Sequence, residues 1–264
     1  MTSLKDFQTD SSVKRAILGF TYGANYKAEL CDETSGCISY SNSTGKRQAL
    51  QIITLVSITI VLVQQIVLHP LASLTVYLTN WVLMLTVFCA LMNALNQFLH
   101  RTDDPDTGRG LTRLAVTHFA CELNLNLNLF VMLVFWPFIY ESAVDCFKDN
   151  AWHMYHMYVV HSVPFLCSIL TFIATDRFVV KASHWKILPF LTMVYALVNY
   201  CETVRSGTPL YVILTWEDWK SPALVVGLSV GVAFNWLGLS QLTQWACRPI
   251  SATVEESEEI CELI

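Results

Sequence analysis

Long runs of apolar residues alternate with short polar segments along most of the chain. A helix of about 20 apolar residues crosses the hydrocarbon core of a bilayer, which is about 30 Å thick. Runs of that length occur near residues 49–68, 71–99, 112–140, 153–175, 185–204 and 221–246. The pattern therefore predicts an all-α, polytopic membrane protein with a bundle of six transmembrane helices.

The predicted spans divide the chain into three parts. Residues 1–48 form a polar N-terminal tail, residues 49–246 form the transmembrane domain, and residues 247–264 form an acidic C-terminal tail. Lys and Arg near the ends of spans stay on the cytoplasmic side of the membrane. Of the 16 Lys and Arg residues, all but Lys148, Arg205 and Lys220 fall on the side of the two tails. Both termini are therefore predicted to be cytoplasmic.

The amino-acid composition also fits a membrane protein, and it argues against a soluble protein or a nucleic-acid-binding one. Apolar residues make up 54% of the chain and charged residues 14%, whereas soluble proteins carry about 25% charged residues. The net charge of −5 offers no basic surface for nucleic acid. Several of the nine cysteines lie within or beside apolar runs, which favours a packing role over disulfides; they are Cys89, Cys121, Cys167, Cys201 and Cys247.

Polar residues inside the spans fall on stripes. At 100° per residue around a helix axis, five polar residues of the second span fall within about 40° of one another. Three polar residues of the fourth span form a second stripe. Polar side chains in lipid turn toward the bundle interior or a wet cavity. For any one of them a hydrogen bond between helices is the simpler role. The stripes consist of Thr75, Thr79, Thr86, Asn93 and Gln97 on the second span, and of His161, Ser168 and Thr175 on the fourth.

Two of these residues are expected at matching depth. Thr79 and His161 each lie eight residues after the predicted starts of their spans, at Leu71 and His153. At 1.5 Å per residue both would lie ~12 Å below the non-cytoplasmic face. A hydroxyl and an imidazole side by side form the nucleophile and base that acyl transfer requires.

Short motifs surround these residues. They are residues 78–81 (Leu-Thr-Asn-Trp), Trp152 with residues 161–165 (His-Ser-Val-Pro-Phe), and residues 207–211 (Gly-Thr-Pro-Leu-Tyr) before Trp216. In order and spacing they resemble the androgen-induced protein family over roughly residues 50–246. The resemblance implies a six-span membrane threonine hydrolase that cleaves fatty acid esters of hydroxy fatty acids, with Thr79 as nucleophile and His161 as base.

The rest of such a site is less defined by the sequence. The mechanism requires no metal or other cofactor, and its partners are membrane lipids and a lipid ester substrate. Oxyanion donors and a group that orients the imidazole are needed. Asn128 is nearest in predicted depth, and Asn80 or the backbone around Gly207 are other candidates.

Three other functions fit parts of the sequence. Residues 79–81 and 211–216 also resemble the rolling stone-like family, which favours a non-catalytic membrane organiser. Glu122, with His118 one turn before it, is a deeply placed ionisable residue that a small-solute transporter would use. His153 and His156, with His161, form a weaker candidate for a metal or haem site.

The C-terminal tail carries two signals that exclude each other. Residues 259–264 resemble an acidic dileucine sorting signal, whereas Cys261 begins a prenylation box. A solvated acidic tail without either function is the third interpretation. Cys247, at the end of the sixth span, is a candidate for palmitoylation. The endoplasmic reticulum, the plasma membrane and endosomal membranes all remain open as locations.

Overall fold

The computed structural model describes residues 45–99, 108–175 and 178–246, and these residues form helices and no strands. The predicted all-α class is confirmed for them. In chain order the elements are α1 (Gly45–Leu68), α2 (Ser73–Val76), α3 (Leu78–Leu99), α4 (Gly108–Val134), a π-helical turn (Phe135–Ile139), α5 (Tyr140–Phe147), α6 (Ala151–Ala174), a 3₁₀ helix (Ala182–Lys186), α7 (Ile187–Ser206) and α8 (Lys220–Ala246).

The described part of the chain has six helical segments long and apolar enough to cross a membrane. By length and composition they confirm the six predicted spans, as expected of an integral multi-pass membrane protein. The segments are Gln48–Leu68, Leu78–Asn96, Arg113–Phe147, Ala151–Ala174, Ala182–Ser206 and Lys220–Ala246.

The second predicted span, residues 71–99, is interrupted near its start. The backbone is extended at Tyr77 (φ −94°, ψ 131°), so that α2 ends there and α3 begins at Leu78. The Asn80 side chain donates a 2.8 Å hydrogen bond from Nδ2 to the carbonyl oxygen of Ser73. This bond links the first turn of α3 to the start of α2 across the break.

The break changes the depth expected for Thr79. This residue is the second of α3, so the prediction that it lies eight residues into its helix is wrong. His161 lies ten residues beyond Ala151, the first residue of α6. An apolar run predicts that its residues are removed from water. It does not distinguish a continuous helix from two helices joined by an extended residue.

The third span continues beyond its predicted end at residue 140. It passes from α4 through the π-helical turn into α5 and ends at Phe147. Pro137 lies in the middle of the turn and has no backbone N–H to donate, which disturbs the regular hydrogen-bond pattern of a helix. The widened turn keeps the span helical while it changes which side chains face the bundle.

Other helix ends follow from local sequence. The Asn150 side chain caps α6 by accepting hydrogen bonds from the backbone N–H groups of Trp152 and His153, both at 3.1 Å. Gly207 ends α7 in a left-handed conformation with φ 70°, which glycine adopts without steric cost.

A buried network of amides and hydroxyls joins α3, α4 and α6. The Thr86 hydroxyl donates to Asn124 Oδ1 at 2.7 Å, and Asn128 Nδ2 donates to Ser168 Oγ at 2.9 Å. All four side chains are 3% exposed or less. Thr86 and Ser168, which belong to the polar stripes predicted on the second and fourth spans, are therefore joined inside the bundle through two asparagines of α4.

A second polar cluster surrounds Glu122, which is fully buried. Its Oε1 accepts a 2.6 Å hydrogen bond from the backbone N–H of Lys181, and its Oε2 lies 2.5 Å from His184 Nδ1. His118 Nε2 lies 3.5 Å from the carboxylate, as the sequence suggested for this pair. The indole of Trp236 donates to the Lys181 carbonyl at 2.9 Å, so the cluster ties the segment before α7 to α4 and α8.

We expect Glu122→Ala to destabilise the protein strongly. Removing one partner of a buried cluster of this kind costs about 3–5 kcal/mol, because the N–H of Lys181 and the imidazole of His184 lose their acceptor. The thermal midpoint of the purified protein in detergent measures the effect. Glu141→Ala, at an exposed carboxylate of the same helical segment, is the control and should leave the midpoint unchanged. Equal shifts for the two variants would contradict the structural role of the cluster.

Candidate functional site

Two cavities in the bundle share part of their walls. The first has a volume of about 240 Å³ and the second a volume of about 420 Å³. Both are lined by Thr79, Phe135, Ile139, His161 and Tyr211. The threonine and the histidine singled out in the sequence therefore lie on the wall that the two cavities have in common.

The first cavity is lined mainly by hydrocarbon. Side chains from α3, α4, α7 and α8 form it, among them Leu127, Leu191 and Val232. An apolar cavity of about 150 Å³ is large enough to hold benzene. This larger cavity therefore has the size and surface to accept part of an acyl chain.

The second cavity has a different chemical character. Gln65 lines it from α1, His69 from the turn that follows, and His153 and His156 from the first two turns of α6. Gln65 Oε1 lies 2.6 Å from His156 Nε2, and the ring centroid of His69 lies 5.8 Å and 5.6 Å from those of His153 and His156. Hydrogen-bonding groups are therefore concentrated on this side of the shared wall.

Thr79 reaches the shared wall because α3 begins one residue before it. Its side chain is half-buried, and its hydroxyl has no hydrogen-bond partner among the described residues. Most other hydroxyls inside the bundle bond to the carbonyl one turn earlier, as Thr192 does to Leu188 at 2.9 Å. The Thr79 hydroxyl thus differs from a threonine that only satisfies its own helix.

His161 is held by stacking. Its ring lies on that of Phe135, with centroids 3.4 Å apart and planes 9° apart. Phe135 is the first residue of the π-helical turn, so the irregularity at Pro137 coincides with the residue that supports the imidazole. His161 Nδ1 is buried and has no hydrogen-bond partner in the described part of the chain. No hydrogen bond joins His161 to Thr79 there either.

Tyr211 is a site residue that the sequence reasoning did not single out. Its hydroxyl accepts a hydrogen bond from the backbone N–H of Leu78 at 3.3 Å, at the start of α3. Burial, together with the neighbouring Tyr195, raises the pKa of Tyr211 well above its ordinary value, so the phenol keeps its proton near neutral pH. Its place at the end of the motif in residues 207–211 was the available signal.

The two asparagines predicted as oxyanion or orienting groups have other contacts. Asn80 lines the second cavity, but its amide donates to the Ser73 carbonyl. Asn128 lines neither cavity, because its amide belongs to the network with Thr86 and Ser168.

The sequence also suggested a metal or haem site and two lipidation sites. Within residues 45–99, 108–175 and 178–246, no group of three or more His, Cys, Asp or Glu side chains is arranged to hold a metal ion. The histidines of α6 that suggested a metal or haem site line the second cavity instead. Cys247 and Cys261, the candidate lipidation sites, lie outside the described residues.

Comparison with family models, with curated proteins and with solved structures finds no match to this chain. The resemblance to the androgen-induced proteins therefore stays a prediction that rests on the short motifs.

We expect Tyr211→Phe to lower stability modestly, because the N–H of Leu78 loses its acceptor. A single hydrogen bond of this kind contributes about 1 kcal/mol, measurable as a fall in the thermal midpoint. Tyr200→Phe is the matched control, since this exposed tyrosine contacts Trp216 only through its ring. A midpoint for Tyr211→Phe equal to that of the control would show that the bond to α3 contributes nothing.

Proposed function

We propose that the protein is an intramembrane hydrolase of lipid carboxylic esters, with Thr79 as nucleophile and His161 as general base. One observation carries the proposal: both side chains line the wall shared by an apolar cavity and a polar cavity. An ester joins an apolar acyl chain to a more polar alcohol. A substrate that extends across the shared wall would bring its ester carbonyl to the hydroxyl and the imidazole.

The proposed reaction has two halves. Thr79 Oγ1 attacks the carbonyl carbon while His161 takes the hydroxyl proton. The tetrahedral intermediate collapses, the alcohol leaves with that proton, and an acyl-threonine remains. His161 then takes a proton from water, whose oxygen attacks the acyl group. Release of the fatty acid returns the proton to Thr79 Oγ1.

The start of α3 supports an oxyanion site. The first backbone N–H groups of a helix have no acceptor within it. The carbonyl of Thr75, four residues before Thr79, accepts instead from the indole of Trp81 at 2.8 Å. We therefore assign the N–H of Thr79 and the protonated phenol of Tyr211 as donors to the developing oxyanion.

The resemblance noted in the sequence points the same way. It implies threonine hydrolase chemistry at the same two residues. The proposal includes both termini in the cytoplasm, which follows from the distribution of Lys and Arg. In that orientation α3 and α6 both begin at the non-cytoplasmic side, and the second cavity lies toward that side.

A fluorophosphonate probe, which reacts with activated hydroxyl nucleophiles, tests the proposal. In membranes we expect labelling of the wild type and its loss in Thr79→Ala and His161→Ala, because one lacks the nucleophile and the other the base. Thr79→Ser keeps a hydroxyl and should keep labelling. Thr192→Ala is the matched control, since Thr192 lines the apolar cavity but bonds to its own helix.

Labelling is interpreted only for variants that match the wild type in abundance and thermal midpoint. Persistent labelling of a folded Thr79→Ala variant would refute the assigned nucleophile. A folded, abundant wild type that is never labelled would instead favour a non-catalytic membrane organiser.

A further inference from the structure

The polar side of the second cavity is lined by hydrogen-bonding side chains and, within the described residues, by no Lys, Arg, Asp or Glu. Gln65 and His156 face each other at 2.6 Å. A glutamine oxygen can only accept, so the proton at this contact belongs to His156 Nε2. In the neutral ring Nδ1 is then an acceptor, and it is buried without a partner in the described residues.

Two more residues that line this cavity each have a buried polar atom without a partner. Ser73 Oγ and His153 Nδ1 are also buried with no hydrogen-bond partner within the described ranges. A buried polar atom left unpaired costs about 1–3 kcal/mol. Rotation of these side chains toward the cavity would let a ligand recover part of that cost, and a hydroxyl group suits this role because it both donates and accepts hydrogen bonds.

A carboxylate fits this set poorly. It only accepts hydrogen bonds, and so cannot satisfy the acceptor at His156. Burial, together with the nearby His153, lowers the pKa of His69, which keeps that imidazole neutral near neutral pH. The described residues that line the cavity include no Lys or Arg to pair with an anion. Burying an unpaired carboxylate is strongly unfavourable.

We infer that the substrate is an ester whose polar end is uncharged and carries hydroxyl groups, in the manner of a partial glyceride. This inference rests on the proposed hydrolase function and narrows its substrate class. The acyl chain lies in the apolar cavity and the hydroxylated end lies among Ser73, His153 and His156. It departs from the resemblance, which implies substrates that carry a free carboxylate.

A matched pair of substrates tests the inference. Both substrates are made from the same fatty acid ester of a hydroxy fatty acid. In one, the carboxyl group of the hydroxy fatty acid is free. In the other, that carboxyl group is joined as an amide to amino-propanediol. Each has one scissile ester, and they differ only at the polar end, which is a carboxylate in one and an uncharged amide with two hydroxyl groups in the other. Near neutral pH we expect kcat/KM for the diol to exceed that for the acid by on the order of tenfold.

A variant links the preference to the cavity. In His153→Leu we expect kcat/KM for the diol to fall toward that for the acid, because one hydrogen-bonding group is lost. Met154→Leu, at the next residue and outside the cavity lining, is the control and should keep the wild-type preference. Equal or faster cleavage of the free acid by the wild type would overturn the inference while the proposed function stands.

Binding keeps the two proposals separable when neither compound is cleaved. Non-cleavable ether analogues of both compounds, each with a photoreactive diazirine in the acyl chain, report occupancy without chemistry. Stronger capture of the diol, lost in His153→Leu, supports the inference even if Thr79 is never labelled. Equal or stronger capture of the acid overturns it. Absence of Thr79 labelling counts against the proposed function alone.

Discussion

A polar side chain within the hydrocarbon region must find its partners inside the protein, and this constraint organises the bundle. The network of Thr86, Asn124, Asn128 and Ser168 connects three helices and leaves little freedom in how they face one another. The cluster around Glu122 does the same for the segment that leads into α7. Apolar packing against lipid does not specify such an arrangement, because lipid tails are as apolar as the side chains. The hydrogen bonds therefore supply the specificity, and the site depends on the helices that they position.

The same constraint makes the candidate site stand out. Where the networks are complete, almost every buried polar group is paired, as expected of a folded protein. Around the second cavity the side chains of Ser73, His153 and His156 each keep a buried atom without a partner, and so does His161 on the shared wall. Other buried polar atoms without a partner, such as those of the Asn126 amide, lie away from both cavities, so the lack of a partner does not by itself mark a site. The four residues around the cavities differ from these because all of them line a space in which a ligand or water can lie beside them, and this placement supports a binding role.

The sequence predicted the helices better than it predicted their ends. Six apolar runs were enough for six spans, because the requirement for about 20 apolar residues is simple and strong. The extended residue Tyr77 was not predicted, because the apolar run gives no sign of a break, and the hydrogen bond from Asn80 to Ser73 that spans it is seen only in the structure. The matched-depth argument for Thr79 and His161 therefore started from a wrong helix boundary, although both residues line the same cavities. Tyr211 was missed because a residue in a connecting segment is brought to the start of α3 only by tertiary structure.

The break at Tyr77 also bears on the choice of nucleophile. A threonine in the middle of a helix bonds its hydroxyl to the carbonyl of the preceding turn, as Thr54 and Thr175 do, and that acceptor competes with any base. At the second position of α3 there is no full preceding turn, and the Thr75 carbonyl is taken by Trp81. The same interruption thus leaves the hydroxyl of Thr79 without a competing acceptor and its backbone N–H without a helical one. In the proposed mechanism a hindered secondary alcohol gains most from such a position, because the attacking hydroxyl and a donor to the resulting oxyanion would come from one residue.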